Sequence, residues 1–151
     1  MTRGLSNDYL YKTCRKLFGK SFLGVFPCDV HPSVKIKDFS LIFNTGDSST
    51  SGEHFVAIYC EKKVIYYFDS FGEKPNDKNI EIFLAKHRRG KRLTLWKKRI
   101  QHSSSSHCGF FCLGYLLSKY KKIRSFPNIF DLNNLQRNDK LIVKFILKHC
   151  K

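Results

Sequence analysis

The sequence has few acidic residues, no closely paired cysteines and no long apolar run, and each shortage excludes a class of protein. No apolar run reaches the roughly 18 residues that a membrane-spanning helix needs. The N-terminal stretch lacks the apolar core of a signal peptide. We therefore expect a protein that acts inside a cell or within a particle, with no membrane partner. The six cysteines include no CxxC pair, which argues against a disulfide scaffold and against a structural metal site.

The shortage of acids leaves a large positive charge. Twelve Asp and Glu stand against 28 Lys and Arg, so the formal net charge is +16. An excess of this size implies a polyanionic neighbour, most simply DNA or another nucleic acid. The densest basic run holds eight Lys or Arg and no acid, and a solvated basic surface is the alternative interpretation of it. From this run we predict the nucleic-acid contacts Lys86, Arg88, Arg89, Lys91, Arg92, Lys97, Lys98 and Arg99.

The apolar content indicates one folded domain over residues 1–151. Hydrophobic residues make up 42% of the chain and aromatic residues 15%, which is too much for a disordered protein. Helical periodicity predicts a first helix from about Ser6 to Phe18, another from about Asp77 to His87 and a last one from about Asp131 to His149. A short strand is predicted at Phe39–Asn44.

Two further strands form the most informative pair. Phe55–Cys60 and Lys63–Phe68 are rich in β-branched and aromatic residues and only two residues separate them, which predicts an antiparallel hairpin. In the symmetric register, counting to the open end places His54 opposite Asp69, with Cβ atoms roughly 4.5–5.5 Å apart. An imidazole and a carboxylate so placed can act as a base and its orienting acid. A chance surface pair at a hairpin mouth is the alternative.

A serine-rich loop leads directly into the most apolar segment, and Cys108 lies at the junction. Apolar residues recur after it at helical spacing, which predicts a buried helix with Ser106 as its N-cap. In the first turn of a helix, free N–H groups and the helix dipole favour a thiolate, the nucleophilic form of cysteine. The alternative is a small buried cysteine with no chemical role.

These residues together form a hypothetical catalytic set. Cys108, His54 and Asp69 would supply nucleophile, base and orienting acid. Gln101 lies seven residues before Cys108. Its side-chain amide can join the backbone N–H of Cys108 in holding a developing oxyanion. Gly109 would keep bulk away from the scissile carbonyl.

Three motifs resemble the adenovirus endopeptidase (adenain) family of cysteine proteases and, more distantly, the ubiquitin-like-protein proteases. They are GEHF with His54, YYFDSFG with Asp69, and Q-x6-CGFFC with Gln101 and Cys108. The order of the four residues and the seven-residue step from Gln to Cys match the adenain pattern. The resemblance implies an α+β fold in which a central mixed β-sheet packs against helices and the nucleophile begins a buried helix.

The resemblance also implies a function. We expect a cysteine endopeptidase that cleaves viral capsid and core precursor proteins during virion maturation, in the virion and the infected host cell. DNA is the expected activator, no other cofactor and no metal is required, and the protein is expected to be a monomer. We assign substrate binding to Gly52, Glu53, Phe55 and Gly109.

The sequence departs from the family in three places. Phe55 stands where the family usually has Trp, and Asp69 where adenovirus enzymes carry Glu. Arg92 stands about where they carry the cysteine that bonds an activating peptide, so a disulfide-linked peptide is not expected here. Three alternative functions stay open: a deconjugating protease for ubiquitin-like proteins, an acetyltransferase of the same fold, and a non-enzymatic basic protein that packages DNA.

Overall fold

The structure is a computed structural model that describes residues 4–46 and 54–150. The predicted substrate residues Gly52 and Glu53 lie outside these ranges. Within them, no helix is long and apolar enough to cross a membrane. The helices are α1 (Asn7–Phe18), α2 (Lys78–His87), α3 (Cys108–Tyr120) and α4 (Asn138–His149), and the strands are β1 (Phe22–Pro27), β2 (Phe39–Asn44), β3 (Phe55–Cys60), β4 (Val64–Phe68) and β5 (Arg92–Leu95).

The strands form one mixed sheet in the order β1-β2-β3-β4-β5. β2, β3 and β4 are antiparallel neighbours, whereas β1 and β5 join in parallel at the two edges. Helices α1, α3 and α4 cover one face of the sheet, and α2 covers the other. The predicted α+β class with a mixed sheet against helices is therefore confirmed.

Both faces of the sheet are buried, and this explains the apolar runs in the sequence. In β3, Phe55 and Ala57 face the core under α3, while Val56 and Ile58 face the core under α2. A strand covered on both sides needs apolar residues at successive positions, not only at alternate ones. β3 is therefore the central element on which α3 and its first residue, Cys108, are packed.

Capping residues decide where the first two helices begin. The side chain of Ser6 accepts a hydrogen bond from the N–H of Tyr9 at 3.2 Å, and α1 ends at Gly19 with a positive φ of 71°. Asp77 caps α2 by accepting from the N–H groups of Asn79 and Ile80. Each cap satisfies donors that the first helical turn leaves free. Both helices agree with the prediction.

Two helix starts differ from the prediction. The N-cap of α3 is His107, not Ser106, and it makes no side-chain capping bond. α4 begins at Asn138, seven residues after the predicted Asp131. The residues before it form a separate turn, in which the Asp131 carboxylate accepts from the N–H groups of Asn133 and Asn134.

The observed register of the β3–β4 hairpin differs from the predicted register by two residues. Cys60 pairs with Ile65 and Ala57 with Phe68, whereas the symmetric prediction paired Cys60 with Lys63. The connecting loop is longer than expected, closed by a hydrogen bond from the Glu61 N–H to the Val64 carbonyl at 2.8 Å. Since the error is an even number of residues, every side chain keeps the face of the sheet that the prediction gave it.

Candidate active site

His54 and Asp69 meet at the open end of the hairpin. His54 directly precedes β3 and Asp69 directly follows β4. Nε2 of His54 lies 2.8 Å from Oδ1 of Asp69, and the two side chains are 15% and 9% exposed. In the observed register Asp69 is a diagonal neighbour of His54, not its direct opposite, and diagonal pairs on one face are still within reach of long side chains. The predicted contact is present, although the register behind it was wrong.

The turn after β4 holds Asp69 in place. Its Oδ1 also accepts the N–H of Phe71 at 2.8 Å, and its carbonyl accepts the N–H of Gly72 at 2.8 Å. Gly72 adopts a positive φ of 72°, a conformation that glycine takes without strain. Backbone groups therefore hold the Asp69 carboxylate in position, in addition to its contact with the imidazole.

Phe71 belongs to the site and was missed by sequence reasoning. Its ring stacks on the imidazole of His54 with centroids 4.6 Å apart, and the guanidinium of Arg99 lies 5.1 Å from the centroid of the same ring. The observed register, continued to the hairpin mouth, places Phe71 opposite His54. The aromatic residue two positions after the acid in YYFDSFG was the available signal.

Cys108 completes the arrangement. It is the first residue of α3, it is half-buried, and it lies close enough to the imidazole of His54 to raise the pKa of that ring. The structure thus brings together the three residues that the sequence predicted as nucleophile, base and orienting acid.

The surroundings of His54 favour its protonated form. Burial lowers the pKa of His54, but the hydrogen bonds to Asp69 and Cys108 and the negative charges of these partners outweigh burial and raise it from 6.5 to about 9. At neutral pH the imidazole therefore carries a proton. A protonated imidazole beside the nucleophile is placed to give its proton to a leaving group.

The other cysteines lie in different environments. Burial raises the pKa of Cys14, Cys28, Cys60 and Cys112, which keeps these thiols protonated and unreactive. Cys150 is half-buried at the C-terminal end of α4. Among residues 4–46 and 54–150, no three His, Cys, Asp or Glu side chains are grouped so that they could hold a metal ion.

Gln101 is buried on the loop between β5 and α3, with 1% of its surface exposed. Its Oε1 accepts from the hydroxyl of Ser70, and its Nε2 donates to the carbonyl of Ser105 at 3.0 Å. The Ser105 carbonyl can only accept, so this contact fixes which end of the amide is nitrogen. One amide hydrogen stays available for a further acceptor.

No protein-family model and no curated protein sequence matches the chain. A solved structure does: the crystal structure of ASFV pS273R protease aligns with a TM-score of 0.69 at 18% identity, over 99% of this chain and 68% of that one. This chain has the fold of a viral protease. The selenomethionine form of the same protease gives a TM-score of 0.66 at 17% identity, over 99% and 68% of the two chains.

A third solved structure is less similar. AvrA delL154 with IP6 and CoA aligns with a TM-score of 0.46 at 16% identity, over 92% of this chain and 54% of that one. At this level the likeness supports no conclusion. The fold therefore rests on the protease comparison and on the sheet and helix arrangement described above.

Two residues assigned to substrate binding are packed in the core. Phe55 is 7% exposed, and Gly109 is buried in the first turn of α3. A Cβ at Gly109 would lie 3.4 Å from the ring of Phe55 and 3.4 Å from Leu5. Their side-chain positions therefore serve the close approach of α3 to β3. The assignment of both residues to substrate binding stays a prediction.

The predicted basic surface is divided in two. Lys86, Arg88, Arg89 and Arg92 are exposed at the start of β5, while Lys97, Lys98 and Arg99 are exposed beyond its end. Lys91 differs from the rest, because it is half-buried with Nζ 2.8 Å from the thiol of Cys60. Seven of the eight predicted cations are therefore open to solvent, in two groups at opposite ends of an edge strand.

Proposed function

We propose that the protein is a cysteine endopeptidase with Cys108 as nucleophile, His54 as proton carrier, Asp69 as the acid that orients His54, and Gln101 as an oxyanion donor. One observation carries the proposal: the imidazole of His54 lies 2.8 Å from the carboxylate of Asp69 and close enough to the thiol of Cys108 for that thiol to raise its pKa. This is the geometry of an activated nucleophile, its base and its orienting group.

The reaction follows from this geometry. The Cys108 thiolate attacks the peptide carbonyl carbon, and the carbonyl oxygen becomes an oxyanion held by the free amide hydrogen of Gln101 and the backbone N–H of Cys108. The His54 imidazolium gives its proton to the leaving nitrogen, and the C–N bond breaks to leave a thioester. Neutral His54 then takes a proton from water, and the hydroxide attacks the thioester. Acid is released, and the thiolate and imidazolium are restored.

The biological setting of the proposal is viral. The substrates are capsid and core precursor proteins, cleaved during virion maturation in the virion and the infected cell. The adenain-like motifs support this setting, and so does the likeness in fold to a protease of ASFV. DNA is the proposed activator because the net charge is +16. The enzyme works as a monomer without a disulfide-linked activating peptide.

The test is cleavage by purified variants. Cys108→Ala and His54→Ala should each lower kcat by about 10³-fold or more, because each removes a member of one catalytic unit. Cys108→Ala should unfold at a temperature close to the wild type, whereas His54→Ala should stay folded but unfold at a lower temperature, because it loses the contact with Asp69. Cys150→Ala is the matched control, since it removes a half-buried thiol outside the site, and it should cleave normally. Full proteolysis by either site variant would disprove the assignment.

Two further assays separate the open alternatives. Mass spectrometry of the products distinguishes hydrolysis, which adds water across the cleaved bond, from transfer of an acetyl group out of labelled acetyl-CoA. Iodoacetamide should modify Cys108 much faster than Cys14, Cys28, Cys60 or Cys112, whose pKa values are raised by burial. Equal labelling of all these thiols would favour a non-enzymatic basic protein.

A further inference from the structure

The first two residues of α4 contact both ends of the loop that carries Gln101. Asn138 is fully buried, and its Nδ2 donates to the carbonyl of Ile100, the residue before Gln101, at 2.9 Å. Asp139 accepts from the hydroxyl of Ser105 with its Oδ1 at 2.7 Å. Consecutive residues of one helix thus hold the segment from Ile100 to Ser105, which leads on to the nucleophile.

Ser105, which is held by Asp139, accepts two further hydrogen bonds. Its carbonyl accepts the side-chain amide of Gln101 at 3.0 Å, and its hydroxyl oxygen accepts the N–H of His107 at 3.0 Å. His107 is the N-cap of α3 and the residue before Cys108. The Asp139 carboxylate is therefore linked through Ser105 to the amide of Gln101, and through Ser105 and His107 to the start of α3, where the backbone N–H of Cys108 lies.

Asp139 also faces the ring of His107. Its Oδ2 lies 3.5 Å from Nδ1 of His107, a buried atom with no hydrogen-bond partner in the part of the chain described. The Asp139 side chain is 26% exposed, on the wall of a cavity of about 790 Å³ between α4 and the serine-rich loop. Asp139 thus sits behind the site and touches neither Cys108 nor His54.

We infer that Asp139 is a positioning residue for oxyanion binding, acting through Ser105. This rests on the proposed function, in which Gln101 stabilises the oxyanion. The Gln101 amide is held at Oε1 by Ser70 and at Nε2 by Ser105, so its free hydrogen has one direction only while Ser105 is fixed. Without the Asp139 contact, Ser105 can rotate, and the amide hydrogen and the start of α3 both lose their alignment. Donors placed in advance are what makes oxyanion stabilisation effective.

The test compares reactions that need the oxyanion site with one that does not. Asp139→Ala should lower kcat about 10- to 100-fold with little change in KM, a loss smaller than that for deleting an oxyanion donor outright. It should weaken binding of a peptide aldehyde by a similar factor, because the aldehyde forms a tetrahedral adduct with an oxyanion. The rate at which iodoacetamide alkylates Cys108 should stay unchanged, since that reaction develops no oxyanion.

Further variants separate positioning from general damage. Asp139→Asn keeps an acceptor for the Ser105 hydroxyl and should retain activity within about threefold of the wild type. Ser105→Ala should reproduce the Asp139→Ala defect, and the double variant should be no worse than either single one, because the two residues act in one chain. Lys140→Ala, the exposed next residue of α4, is the matched control. If Asp139→Ala does not fold, Ser105→Ala carries the same expectations.

The results decide separately about this inference and the proposed function. An active wild type with Asp139→Ala and Ser105→Ala both equal to Lys140→Ala would overturn the positioning role. So would a loss of iodoacetamide reactivity as large as the loss of kcat, because that indicates general disorder of the site. Absence of cleavage and of selective Cys108 labelling in the wild type would instead disprove the proteolytic function.

Discussion

His54 is acted on by three neighbours, the carboxylate of Asp69, the thiol of Cys108 and the ring of Phe71. Two of them set its protonation, because their hydrogen bonds and charges raise its pKa against the effect of burial. The third restricts the imidazole plane. A single residue thus combines the electrostatic and the steric requirements of the site.

The first prediction concerns the pH dependence of cleavage. His54 must be protonated to serve as the acid for the leaving nitrogen, so kcat/KM should fall at alkaline pH with a midpoint near the His54 pKa of about 9. Asp69→Asn removes a charge that raises this pKa and should move the midpoint to lower pH. The measurement is the pH profile of kcat/KM for both proteins. An alkaline midpoint that is the same in both would contradict the role of Asp69.

The second prediction concerns stability. The folded-state pKa of His54, about 9, lies above its ordinary value of 6.5, so protonation stabilises the folded protein. This contribution is complete below pH 6.5 and is lost as pH rises through 9. The free energy of unfolding of the wild type, measured with urea and taken relative to His54→Gln, should decline over this interval by up to about 3 kcal/mol. A difference that does not vary with pH would contradict it.

The proposed catalytic residues could be found from sequence because their signals are local. Cys108 follows a serine-rich loop at the start of an apolar helix, and His54 and Asp69 flank two adjacent strands. Phe71 needed the true register of the hairpin. Asp139 could not be found this way, because its contact with Ser105 joins residues 34 positions apart, and periodicity carries no information on which helix start meets which loop.

The β3–β4 hairpin shows that strand positions can be predicted from the sequence even where the strand register cannot. Its strands were placed within one residue, yet its register was wrong because no tight-turn residue marked the loop. The His54–Asp69 contact survived because the slip was even and kept both side chains on one face. An odd error would have placed the two groups on opposite faces of the sheet.

The third prediction concerns the turn after β4. A Cβ at Gly72 would lie 2.8 Å from the backbone nitrogen of Arg99, and its φ is 72°. Gly72→Ala should therefore cost both backbone strain and a displacement of the chain beside Phe71, roughly 2–4 kcal/mol in all. It should also lower kcat, because the turn holds Asp69.

Gly90→Ala is the matched control for that variant. Gly90 has a similar φ of 69°, but nothing lies within 4 Å of the added Cβ. Only strain remains, about 1–2 kcal/mol, and cleavage should be normal. Urea unfolding and kcat of the two variants provide the measurement. If both variants are destabilised equally, the close contacts of the added Cβ at Gly72 do not reduce stability, and the prediction is wrong.

The starts of α1 and α2 were predictable because a capping side chain lies in the sequence next to the donors it satisfies. The start of α4 was not. Its first residue, Asn138, is buried and bonded to Ile100 and Asp131, so tertiary contacts decide where the helix begins. Amphipathic periodicity predicts that this helix exists but does not predict its first residue.

For the molecule as a whole, the exposed cations of the predicted nucleic-acid surface lie at the two ends of β5. One exposed cationic group precedes β5, and the other follows it on the side of Phe71 and the candidate active site. A rod of DNA long enough to pass both groups would run along this edge of the molecule. A shorter contact would involve one of them alone.

The fourth prediction distinguishes these groups. If Lys97 and Lys98 each neutralise a phosphate, replacing both with Gln should reduce the slope of log affinity against log salt by about 2. Replacing Lys86 and Arg88 with Gln is the comparison at the other end of β5. DNA binding and cleavage should be measured at several salt concentrations. A slope unchanged in both double variants would exclude these four side chains as phosphate contacts.

The global arrangement was only partly predictable. The resemblance to a protease family implied an α+β domain with a mixed sheet, and the comparison with a protease fold confirms that class. The strand order was not readable, since β1 pairs in parallel with β2 across an irregular register, and β5 adds to β4 after a whole helix. Such pairings depend on which edge is free once the central strands have formed.

The position of β5 has a consequence for the protein in concentrated solution. The backbone of this strand pairs with β4 along one edge. Within residues 4–46 and 54–150, no further strand pairs with its second edge. An uncovered strand can add to a copy of itself, and clustered like charges beside it keep such copies apart. Salt that screens the Lys and Arg side chains at its two ends removes that repulsion. A high salt concentration should therefore cause this protein to aggregate, which light scattering would detect.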